Sequence, residues 1–112
     1  MTQDQQEAEM QAAIRILGDM GSTLGVDRCR HDSITETTLW LFEHVRENPS
    51  RTPAKFKNVQ VGAVSRLNST GDFKWEATRM MGGSPTARRN FPTMHSALDW
   101  IETYEHGRRN AA

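Results

Sequence analysis

At Phe56 the apolar residues of this chain change their spacing. Beyond it, Val59, Val61, Ala63 and Leu67 alternate with Gln60, Gly62 and Arg66, the period of two that belongs to a half-buried strand. Before it, Met10, Ala13, Ile14, Leu17 and Met20 recur at steps of three and four, as on one face of a helix. A chain of 112 residues has room for one core, so both patterns must share it. The expected class is α+β, with residues 1–112 forming one domain.

The alternating half runs through two breaks. Asn68-Ser69-Thr70-Gly71-Asp72 has the composition of a turn, and Phe73, Trp75 and Ala77 then alternate with Lys74, Glu76 and Thr78. Gly82-Gly83-Ser84-Pro85 precedes a shorter run from Thr86 to Phe91. Three alternating runs predict a three-stranded antiparallel meander. Gly62 inside the first of them signals a bulge or a close backbone approach. Asp72 to Met81 also fits a helical period through Phe73, Ala77, Met80 and Met81. Aromatic residues two apart and flanking glycines favour the strand.

The first helix is expected from Gln3 to about Gly21, followed by a loop to Arg30. A second is expected from Ser33, which forms a capping box with Glu36, Asp32 being the rival cap. Ile34, Thr38, Leu41, Phe42 and Val45 would make its apolar face, and Asn48-Pro49 would stop it. A last helix is expected from Met94 to about Glu105, capped by Thr93, closed by Gly107 and burying Ala97, Leu98, Ile101 and Tyr104. The expected order is α-α-β-β-β-α.

Formal charge is zero, yet it is segregated. Residues 1–50 carry nine acids against four arginines, a net of −5; residues 51–93 carry eight bases against two acids, a net of +6; the remainder is −1. The expected sheet is therefore basic and the expected helices acidic. Balanced charge excludes a globally basic packaging protein and an acidic nucleic-acid mimic. Cys29 is the sole cysteine, which excludes an intramolecular disulfide and suits a reducing compartment. No apolar run reaches the ~18–20 residues of a membrane span, and Met1 to Glu9 is polar, so a cytoplasmic protein without membrane contact is expected.

Positions that carry chemistry are sparse. Cys29 and His31, with His44, His95 and His106, have none of the spacings that hold a tetrahedral zinc. There is no G-x-S-x-G. Gly82-Gly83-Ser84 lacks the Lys-Ser/Thr pair of a phosphate loop. Glu43 and Glu47 are surface neighbours on the expected helix. No catalytic, cofactor or metal residue is assigned, and no enzyme is expected.

Phe73-Lys74-Trp75-Glu76-Ala77, the Gly-Gly-Ser-Pro turn, basic Arg88-Arg89, and Phe91, Thr93, Ala97 and Trp100 at F-x-T-x-x-x-A-x-x-W spacing carry a resemblance. Over residues 57–106 the chain resembles the arm-type DNA-binding domain of tyrosine recombinases (phage integrases), three strands packed on one helix. The resemblance implies that the sheet enters the major groove of DNA. Its last strand and helix also resemble those of small anti-sigma-antagonist-like domains, which would suit the helical form of Asp72 to Met81.

The expectation is thus a small non-enzymatic protein whose basic sheet binds DNA or RNA through Lys57, Arg66, Lys74, Arg79, Arg88 and Arg89, neutralising phosphates. The alternative is a protein-binding module without nucleic-acid contact. It would be a homodimer, or an inhibitor of the kind mobile elements encode against host defence. Opposed charge in the two halves motivates it.

Overall fold

A computed structural model describes residues 3–28, 38–46, 56–67, 71–81 and 84–111. Along the chain come α1 (Gln3–Asp19), β1 (Gly25–Arg28), β2 (Thr38–Arg46), β3 (Phe56–Arg66), β4 (Trp75–Met81), β5 (Ser84–Phe91) and α2 (Met94–Ala111). The strands form one five-stranded sheet in the order β1-β2-β3-β4-β5, every pair antiparallel. The expected α-α-β-β-β-α order is overturned. Two strands stand where a loop and a second helix were expected, and α1 is followed directly by the sheet.

The physical reason lies in Thr38 to Val45. Leu41, Phe42 and Val45 suit a helical face, but Leu39 and Leu41 stand two apart among β-branched and aromatic neighbours, the composition of a pleated surface. Pairing with β3 settles the conflict: Leu39 lies opposite Val64 and Leu41 opposite Gly62, and both leucines are fully buried. The Ser33–Glu36 capping box, with Ile34, and the Asn48-Pro49 stop lie outside the described residues. β1 is only four residues long, too short for any period to reveal, and its existence depends on pairing with β2. Asp72 to Met81 resolves as strand from Trp75 onward.

Gly62 fulfils both of its expected roles. The register shifts between Leu41, opposite Gly62, and Phe42, opposite Gln60, which leaves Val61 as the extra residue of a bulge. A Cβ on Gly62 would stand 2.8 Å from the Thr78 carbonyl oxygen and 3.0 Å from Cγ2 of Ile101. Only a bare backbone lets α2 and β4 come so near.

Both helices cover the same face of the sheet. α1 lies over β1 and α2 over β3 to β5, with the two helices also in contact. Between helices and sheet sit Ala13, Leu17, Leu39, Leu41, Val61, Val64, Trp75, Ala77, Ala97, Leu98 and Ile101. Ile14, expected inside, is 44% exposed, because the buried stripe of α1 follows Met10, Ala13 and Leu17 instead. Gly21 ends α1 at φ +74°, with Ser22 N donating to the Leu17 carbonyl at 2.9 Å and Gly21 N to Gly18 at 3.0 Å. Thr93 caps α2, its Oγ1 accepting from Ser96 N at 3.1 Å. Gly107 does not close that helix, which continues to Ala111.

Candidate binding surface

Because side chains alternate along each strand, the paired register sorts the sheet into two faces. The row Arg28, Leu39, Val64, Ala77, Arg89 turns toward the helices. The neighbouring row, Asp27, Trp40, Ala63, Thr78, Arg88, turns away from them, and no described element covers it. Thr38, Ser65, Glu76 and Asn90 form the next row of this open face, and Phe42 and Gln60 lie on its other side.

Aromatic rings concentrate there. Trp40 is 37% exposed and meets Phe42 edge-on, their centroids 6.4 Å apart. Further along the β2–β3 ribbon, His44 and Phe56 stack at 4.8 Å and 11°. His44 Nδ1 is 3.0 Å from Asn58 Oδ1, and Thr38 Oγ1 is 3.1 Å from Ser65 Oγ across the strand pair. Beside β1, Thr23, Gly25, Val26, Asp27, Phe42, His44 and Asn58 line a shallow concavity of about 420 Å³. Among the described side chains the charge of this face is small and balanced: Asp27 and Glu76 against Arg88 and, just ahead of β4, Lys74, whose carbonyl accepts from Leu67 N at 2.7 Å.

The six cations expected to act together are spread over the molecule. Arg88 stands on the open face. Arg66 faces the helices, where its Nε donates to Glu9 Oε1 at 3.0 Å and Oε2 at 3.2 Å and its guanidinium lies 4.7 Å from the Trp75 ring centroid. Arg79 faces them too, its Nη2 donating to the Trp100 carbonyl at 2.9 Å. Arg89, on the helix side of β5, lies 5.4 Å from the Phe91 ring. Lys57 is exposed on the helix side of the ribbon, opposite Val45, and Lys74 is exposed just ahead of β4. Alternation separates what sequence adjacency had grouped: Arg88 and Arg89 are neighbours on opposite faces.

Sequence reasoning did not single out Trp40, Phe42 and His44 as a surface row. Their spacing of two was the available signal, masked by the helical spacing of Leu41, Phe42 and Val45. The Phe91, Thr93, Ala97, Trp100 motif has structural contacts here. Phe91 and Trp100 pack at 5.6 Å, Thr93 caps α2 and Ala97 is fully buried.

Among the described residues no cluster of three His, Cys, Asp or Glu side chains could hold a metal, and no helix is long and apolar enough to cross a membrane. Cys29 and His31 lie outside the described residues. No family model, curated protein or solved structure matches the chain.

Proposed function

We propose that the protein is a non-enzymatic docking module that binds another protein through the open face of its sheet. One observation carries the reading: a pleated surface bearing Trp40 and Phe42 on β2, with few charges, is covered by no described element, while both helices pack on the other side. Interface cores are poor in charge and rich in aromatic side chains, and an uncovered patch of this kind is where a soluble protein meets a partner. A polyphosphate chain needs several cations along its track. Arg66 is occupied by Glu9 and Arg79 by Trp100, so the dispersal of the basic residues favours a protein over a nucleic acid.

Site-specific photo-crosslinking in cells tests this. A benzophenone side chain at Phe42 or Thr78 is expected to give discrete protein adducts, whereas one at Gln11 on the outer side of α1 gives none. Adducts from Gln11 with none from the sheet would overturn the reading. So would salt-dependent binding of oligonucleotide probes that Arg88→Ala abolishes, an outcome that returns the open face to nucleic acid.

A further inference from the structure

The open face is complementary to itself. We propose that its partner is a second copy of this chain, packed face to face about a two-fold axis that runs along β3 and passes Ala63. The proposal rests on the docking role above and adds the identity of the occupant.

Strand register makes the face self-complementary. In a five-stranded meander, a two-fold along the central strand lays β1 of one copy over β5 of the other, and β2 over β4. Asp27, Trp40, Ala63, Thr78 and Arg88 form one continuous cross-strand row, so they lie at the same height along the strands. The operation therefore brings Asp27 onto Arg88 twice, once at each rim, and Trp40 onto Thr78 twice, a large side chain on a small one. Ala63 meets its own copy on the axis, where a small residue lets the two sheets approach.

The flanking rows agree. β2 and β4 run in the same direction, so Phe42, two residues past Trp40, comes onto Met80, two residues past Thr78. Sulfur against an aromatic ring is a favourable contact. On the outer strands the bulge between Arg79 and Met80 aligns Pro85 with Gly25, filling the concavity beside β1. In the other direction the Thr38–Ser65 hydroxyl pair comes beside Glu76.

The competing two-fold, across the strands, would set Asp27 on Asp27, Arg88 on Arg88 and Trp40 on Trp40. Like charge at both rims excludes it in favour of the first. Twisted sheets pack face to face with strands within ~30° of each other, which an axis along β3 permits. Across five strands ~4.8 Å apart, the three open-face rows through Thr38, Trp40 and Phe42, ~6.8 Å apart, give a footprint of ~490 Å², about three-fifths of the ~800 Å² each partner contributes to a standard interface.

Sedimentation equilibrium of the full chain tests the axis. The wild type is expected to reach twice the chain mass. Asp27→Arg and Arg88→Asp, both at exposed positions, should each weaken self-association by about a hundredfold or more, since each juxtaposes like charges at both rims. Mixing the two variants in equal amounts should restore a dimer, as should the double variant. Ala63→Glu, on the axis, should give a monomer with an unchanged circular dichroism spectrum. A wild type that stays monomeric at NMR concentrations would overturn the second-copy assignment, while sheet-face adducts to other proteins would leave the docking role standing. A dimer indifferent to these variants, or single variants that fail to rescue each other, would overturn the proposed axis.

Discussion

The Arg79 guanidinium lies 3.8 Å from the centroid of the Trp100 ring, and its Nη2 donates to the carbonyl oxygen of that same tryptophan at 2.9 Å. One arginine on β4 thus grips a single residue of α2 by both side chain and backbone. The contact explains why a cation from a strongly basic segment sits on the covered side of the sheet.

Replacing Arg79 by Met should remove both contacts and cost about 2–3 kcal/mol, from a desolvated cation–π interaction and a charge-assisted hydrogen bond. Lys keeps the charge but lacks the planar fork, so Arg79→Lys should recover less than half of that loss. Urea midpoints of the three proteins measure it.

Gly62→Ala should destabilise by about 1–3 kcal/mol, because the new methyl group meets the Thr78 backbone oxygen at 2.8 Å and Ile101 behind it. Gly18, in α1, has nothing within 4 Å of its would-be Cβ. Gly18→Ala should therefore stabilise by about 0.5–1 kcal/mol through helix propensity. Opposite shifts of thermal midpoint for one chemical change would confirm both sites.

On α1, Leu17→Ala should cost about 2–5 kcal/mol, since the side chain is 2% exposed. Ile14→Ser, three residues earlier, should stay within about 0.5 kcal/mol of wild type, because that side chain is 44% exposed. Equal losses at the two positions in denaturant titrations would mean that the buried stripe of α1 has been placed on the wrong side.

Thr93→Ala should remove the α2 cap and cost about 1 kcal/mol, with faster amide exchange at Ser96, whose N–H donates to Thr93 Oγ1. Thr93→Ser keeps the hydroxyl and should restore protection. The comparison separates the cap from the side chain's bulk.

Local signals were legible where one period or one cap decided the outcome. α1, β3, the β4–β5 hairpin and the Thr93 cap follow from spacing and turn composition. Thr38 to Val45 did not, because its leucines satisfy a helix and a strand at once and the deciding term is the non-local pairing of Leu39 with Val64 and Leu41 with Gly62. β3 itself hid a second inversion. Val59, Val61 and Ala63 read as one inner face, yet after the bulge Val64 is buried and Ala63 turns outward. The charge segregation was readable as a count along the chain, but the face on which each cation stands depends on strand phase. That phase divides Arg88 from Arg66, Arg79 and Arg89.

The one surplus residue in β3 has a consequence of its own. Excising Val61 would join Gln60 to Gly62 in unbroken alternation, so every remaining pair with β2 could persist and no side chain would change sides. What disappears is the local coil that the irregularity imposes on the hairpin, together with the buried Val61 side chain, so the deletant is also less stable. Such a deletant should keep its fold while carrying a straighter β2–β3 arm, making curvature adjustable by a single codon.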